Sequence, residues 1–195
     1  MKETKIRIST AFLIFICGYA VYDPWDSFWP FLISVGLHEA FHILMLRRLG
    51  YPVSGLHCTA QGLEIKTSPT GYKDELWIAS AGPVANCFLL VLSVGRYPLM
   101  GLINLVLICY NLLPFYPLDG GRILRCILRL SLPICSAENI EKGIGLCTYL
   151  ILFLLGLYLT FVLRSGMWPM VFCAFLFYRI GNTILPERKT ICGKT

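Results

Sequence analysis

Phe31-Leu32-Ile33-Ser34-Val35-Gly36-Leu37-His38-Glu39-Ala40-Phe41-His42-Ile43-Leu44 is an apolar run interrupted by two imidazoles and a carboxylate. It lies within Phe28–Leu46, close to the roughly 20 residues a helix needs to cross a bilayer core. His38 and His42 are four apart, so both emerge from one face of a helix and can bind one metal ion. Glu39 lies beside that face, within reach of a water on the metal. In an H-E-x-x-H pattern it serves as general base rather than ligand. The pattern is short, and its place gives it weight, because ionisable groups at the middle of an apolar span are costly and usually functional. The competing reading is that the histidines only hydrogen-bond to neighbouring helices. It would be preferred for one histidine alone and is not preferred for all three groups together.

Composition agrees with a span. Of 195 residues, 56% are hydrophobic and 14% charged, against about 25% charged in soluble domains. The mean hydropathy is +0.68. Too few polar residues remain to cover a water-soluble globule, and disorder and collagen-like structure are excluded on the same ground. The sequence therefore predicts an all-α integral membrane protein, with one transmembrane domain over residues 1–195. The nine cysteines form no C-x-x-C pair, so neither a disulfide framework nor a cysteine zinc knuckle is expected. No small-residue cleavage site follows the first apolar run, which reads as a retained span.

About six spans are predicted: Ile8–Tyr22, Phe28–Leu46, Leu76–Val94, Leu99–Phe115, Leu146–Leu163 and Met167–Leu185. With the N-terminus inside, fourteen Lys and Arg fall in cytosolic segments and only Arg96 and Arg164 outside, which orients a multi-pass protein with both termini cytosolic. The net charge of +6 is thus a matter of topology, and no nucleic-acid partner is expected. Tyr51–Lys66, with two glycines, a proline and β-prone residues, predicts a short membrane-associated β-hairpin after the second span. The two prolines and two glycines of Pro114–Arg122 must break the helix entering them. A short amphipathic helix, Arg122–Leu130, is expected next, with its arginines toward the headgroups.

A catalytic zinc commonly has three protein ligands. Screened by topology, the acidic residues leave Glu64 in the hairpin, Asp74 and Glu75 at the start of the third span, and Asp119 in the broken segment Pro117-Leu118-Asp119-Gly120-Gly121-Arg122. The glycines beside Asp119 permit close approach to a metal; the other reading of Asp119 is a cap for the following helix. His57 reads as a hairpin residue, and Asn86 as either a support for the metal site or an interhelical hydrogen bonder.

His38-Glu39-Ala40-Phe41-His42, Ala81-Gly82-Pro83-Val84-Ala85-Asn86 and Asn111-Leu112-Leu113-Pro114-Phe115-Tyr116-Pro117-Leu118-Asp119-Gly120-Gly121-Arg122 together resemble the site-2 protease family of intramembrane zinc metalloproteases, peptidase family M50. The spacing looks closest to the stage IV sporulation protein FB branch. The resemblance implies one Zn2+ held by His38, His42 and Asp119, with Glu39 the catalytic base and Asn111 holding the substrate or polarising its carbonyl. It implies a membrane-associated protein substrate within the lipid bilayer, of pro-sigma-factor type if the sporulation likeness holds. The alternative is a catalytically idle relative acting as a membrane chaperone or binding partner. The chain departs from that branch in showing no C-terminal regulatory domain after its last span, and in having Gln61-Gly62 where relatives often show Gly-Gly. An oligomer is compatible with the sequence.

Overall fold

The computed structural model describes residues 5–21, 23, 26–59, 62–164, 166, 167, 169–171 and 173–177. They are mostly helical and fall into two compact units that divide between Asn111 and Leu112. The first unit contains β1 (Lys5–Ile8), α1 (Thr10–Val21), α2 (Phe28–Arg48), β2 (Val53–Thr59), β3 (Gly62–Thr67), α3 (Tyr72–Ser93) and α4 (Pro98–Asn111). The second contains α5 (Asp119–Ser131), α6 (Ile134–Phe161) and a helical stretch at 169–171 and 173–177.

Among the described residues three helices, α2, α3 and α6, are long and apolar enough to cross a membrane. The 21 residues of α2 rise about 32 Å at 1.5 Å per residue, matching a core of about 30 Å. Together with the composition, they make this an integral membrane protein. The 12 residues of α1 and the 14 of α4 rise only about 18 and 21 Å. Helix α4 ends at Asn111 because Pro114 and Pro117 follow, four residues earlier than the sequence predicts. Part of the sixth expected span, Met167–Leu185, lies outside the described residues.

Local chemistry fixes both ends of α2. The Asp23 carboxylate accepts from Ser27 Oγ at 2.7 Å and from the Phe28 backbone N–H at 2.6 Å, placing an anion at the positive end of the helix. At the other end Gly50 takes φ +82°, so that Tyr51 N–H reaches Leu46 O at 2.9 Å and Gly50 N–H reaches Arg47 O at 3.1 Å. That pair of bonds is the Schellman closure, which needs a residue tolerant of left-handed backbone. Arg47 and Arg48 stand in the last turn, where cations complement the dipole.

Strands β2 and β3 run antiparallel, Leu56 facing Ile65 and Thr59 facing Gly62, and β1 lies parallel to β2 with Lys5 opposite Gly55. The N-terminal strand is not legible in the sequence, which reads Ile8 as the start of a span.

The core of the first unit is narrow and built from small residues. Helix α3 buries Ala79, Ala81, Gly82, Pro83 and Ala85, letting backbones approach closely where lipid removes the hydrophobic drive for helices to associate. Helix α4 follows the same rule, since a Cβ on Gly101 would stand 3.4 Å from Ser93 Oγ. A polar tie joins α4 to α2: Asn104 Nδ2 donates to Ser34 Oγ at 2.9 Å, and Ser34 Oγ donates to Pro30 O at 2.7 Å.

In the second unit α6 begins at Ile134, twelve residues before the span Leu146–Leu163 that the sequence predicts. The polar first turns are held by α5. Arg125 Nε donates to Glu141 Oε1 at 2.8 Å, and Arg129 Nη2 lies 3.5 Å from Glu138 Oε1. Arg125 and Arg129 thus meet carboxylates of α6, correcting the expectation that they point to headgroups. Arg125 also lies over the Tyr116 ring, 4.1 Å from its centroid. Arg125→Ala is expected to destabilise the detergent-solubilised protein by about 1–3 kcal/mol, the range for losing a charged hydrogen-bond partner at a mostly buried carboxylate. Thermal unfolding of the variant against wild type measures it, and Arg125→Lys should recover only part, because an ammonium lacks the planar fork. Further along α6, Gly156 is packed: a Cβ there would meet Cys173 Sγ at 2.9 Å. Gly143, by contrast, faces open space.

Candidate metal centre

The i, i+4 spacing of α2 places Ser34, His38, His42 and Leu46 on one buried stripe. His38 and His42 present their Nε2 atoms to each other at 3.1 Å, the rings edge to face with centroids 4.8 Å apart. His42 Nδ1 lies 2.7 Å from the carbonyl oxygen of Ile78 on α3. A carbonyl only accepts, so Nδ1 carries the hydrogen, and in the neutral ring the lone pair is left on Nε2. This is the outer hydrogen bond that orients a metal-binding imidazole and fixes its tautomer.

The facing nitrogens pass a direct test for zinc. Two nitrogens sharing a tetrahedral zinc at about 2.0–2.1 Å are separated by roughly 3.3 Å, and the observed 3.1 Å is within a few tenths of that. Imidazole is also a ligand type that zinc favours.

Helix α3 meets this pair through Gly82. A Cβ there would fall 2.6 Å from both Cε1 and Nε2 of His38, and nearer still to His42 Nε2. Only glycine admits the rings at this point. Pro83, the next residue, lies inside α3 and has no N–H to offer the carbonyl four residues back, a defect that buried surroundings tolerate at membrane depth. The sequence shows Ala81-Gly82-Pro83 as a motif, but neither the Gly82 contact nor the Ile78 carbonyl has a local signal, since both depend on the register of α2 against α3.

Glu39 is half-buried on α2, one residue from His38. Asn111 is the last residue of α4 and also half-buried. Two other acids are engaged at the start of α3: Tyr51 Oη donates to Asp74 Oδ2 at 2.6 Å, and Thr70 Oγ1 donates to Glu75 Oε2 at 2.7 Å. The Asp74 carboxylate in turn raises the Tyr51 phenol above its ordinary value. These contacts start a helix and do not build a metal site.

In the second unit Asp119 is buried in the first turn of α5. The cap position of that helix is Leu118, which makes no side-chain cap, so the capping reading of Asp119 fails. Its Oδ1 lies 3.1 Å from Arg122 Nη1. Gly120 and Gly121 explain how the carboxylate is buried. A Cβ on Gly120 would strike the carbonyls of Leu112 and Leu113, and one on Gly121 the backbone of Phe115 and Tyr116. The chain from Leu112 to Leu118 thus folds directly onto the first turn of α5. It includes a cis Tyr116–Pro117 bond.

Comparison with known proteins places these features. The profile of peptidase family M50 matches residues 94–155. A zinc metalloprotease of Methanocaldococcus jannaschii is 32% identical over 164 residues, 75% of this chain and 48% of the relative. Stage IV sporulation protein FB of Bacillus subtilis is 26% identical over 158 residues, 74% of this chain and 54% of the relative. The chain therefore spans about half the length of these relatives. A solved site-2 protease from Methanocaldococcus jannaschii has the same fold, with a TM-score of 0.64 and 27% identity, covering 100% of this chain and 96% of that one. The profile runs through the segment that buries Asp119, and the shared fold extends over the helix pair that aligns the two imidazoles, so the chain carries a peptidase family M50 domain in the fold of a site-2 protease.

Proposed function

We propose that this protein is an intramembrane zinc metalloendopeptidase that cuts a membrane-associated protein near the cytosolic face. One observation carries the reading: two buried Nε2 atoms face each other at 3.1 Å on a membrane-length helix, one ring anchored through Nδ1 to the Ile78 carbonyl. Asp119, a buried carboxylate in the segment matched by the family profile, is the third ligand in this reading. The zinc named for the archaeal relative is the ion taken here, one per chain. The proposed arrangement has six spans with both termini cytosolic.

When bound, the ion supplies a Lewis acid that polarises the scissile carbonyl and makes water acidic near neutral pH. Glu39 accepts the proton of the attacking water and returns it to the leaving amine nitrogen. The Asn111 amide donates to the carbonyl oxygen as negative charge develops there. A substrate helix hides its carbonyls in its own hydrogen bonds, so it must unwind before attack. Strand β3, the later half of the proposed membrane-associated hairpin, offers it an edge to pair with as an added strand.

The test is reconstitution in lipid vesicles with single-span and pro-sigma-factor-type substrates. Wild type should cut, and chelation should abolish cutting. His42→Ala Asp119→Ala should lose stoichiometric zinc, measured by elemental analysis; zinc retained in that double variant would refute the ligand assignment. Wild type that binds zinc and cuts no membrane substrate would favour the idle, chaperone-like alternative.

A further inference from the structure

Asn86 is completely buried in α3, and among the described residues neither its Nδ2 nor its Oδ1 has a hydrogen-bond partner. An amide in that condition is costly in an apolar interior, and such groups are uncommon enough to need a specific cause. The register of the helices says where it stands. Ile78 O meets His42, and Gly82, one turn on, meets both His42 and His38. Moving toward the C-terminus of α3 therefore moves toward the N-terminus of α2. Asn86 is one further turn along, about 6 Å at 1.5 Å per residue, and falls level with the His38–Ser34 turn.

Helix α4 reaches the same level independently. Gly101 packs against Leu90 and Ser93 of α3, so Asn104, a turn later on an antiparallel neighbour, comes back toward Asn86. Asn104 Nδ2 is bonded to Ser34 Oγ at 2.9 Å and to Met100 O at 2.8 Å, while among the described residues its Oδ1 has no partner. Three completely buried polar side chains from three helices thus converge one turn beyond the histidine pair. Between them they leave one amide donor group and two amide oxygens to be satisfied.

We infer that Asn86 is a positioning residue of the metal centre, its amide holding buried water with Asn104 and Ser34 on the side of His38 away from His42. The sum of donors and acceptors fits water, which gives two hydrogen bonds and accepts two, and buried water occupies polar sites that offer about three such bonds. Hydrolysis consumes one water per turnover at a depth where lipid supplies none, and a hydrated pocket one turn from the metal ligands keeps one in reserve. The catalytic part of this inference rests on the proposed protease function, and the hydration part does not.

Two measurements test it. In the metal-free protein, labelled at asparagine, the Asn86 side-chain amide protons should show a nuclear Overhauser contact to water, weakened in Asn104→Leu. A well-resolved Asn86 amide with no contact to water overturns the inference. With zinc and substrate, Asn86→Leu should lower kcat at least tenfold with KM within twofold, while thermal stability is unchanged or higher, because an apolar residue of similar shape replaces a polar group whose burial is costly. A merely structural asparagine predicts that stability and activity fall together or that neither changes, and either result overturns the positioning role. Asn86→Ser, small and still polar, should retain more activity than Asn86→Leu and guards against a variant that fails to fold. Wild type without cleavage would sink the protease reading and leave the water contact standing.

Discussion

Glu39→Gln should leave zinc bound and remove proteolysis. Glutamine keeps the length and shape of glutamate but does not accept a proton from water at neutral pH. General base catalysis contributes about 10²–10⁴-fold, and this carboxylate also returns the proton to the leaving nitrogen, so a loss of about 10³-fold or more is expected. The histidine geometry should not respond. His42 is anchored by the Ile78 carbonyl and both rings are wedged against Gly82, contacts in which the Glu39 side chain takes no part. Cleaved product per hour and zinc per chain, measured on one preparation, check the two halves of the prediction. Cleavage surviving within tenfold of wild type would exclude Glu39 as the base.

Gly82→Ala should do the reverse, damaging the metal centre while leaving Glu39 in place. The added methyl would stand 2.6 Å from His38 Nε2 and closer to His42 Nε2, in the space between the two donor atoms. Either α3 retreats, stretching the 2.7 Å bond from His42 to Ile78, or the rings turn aside. Disturbing the partner that orients a metal-bound imidazole costs about 10–100-fold in affinity, and displacing the nitrogens themselves should cost at least that. Zinc titration reads it directly. Gly36→Ala is the control on α2: a Cβ there meets nothing within 4 Å, and alanine is the better helix former by about 1 kcal/mol. It should bind zinc normally and melt no lower than wild type.

What the sequence discloses follows the range of the forces involved. The second span is legible to within two residues and the third to within four, because a long apolar run makes a local signal, and the histidine pair is legible because helical spacing alone aligns it. Helix α6 is longer than its apolar run, since Glu138, Glu141 and Lys142 lie before the predicted span, and the helix extends over them where the arginines of α5 are set against the two carboxylates. Strand β1 exists only through pairing with residues fifty positions away. Asp119 is legible as a ligand candidate from its glycines, whereas its alternative, a helix cap, is decided only by the backbone at Leu118. The Ile78 carbonyl has no side-chain identity to betray it.

The ion pairs of the second unit have an electrical consequence. Each arginine of α5 faces a carboxylate: Arg122 that of Asp119, Arg125 that of Glu141, and Arg129 that of Glu138. A segment that looks strongly cationic when written out is close to neutral once folded. Its attraction to anionic phospholipids should therefore be weak and respond little to added salt.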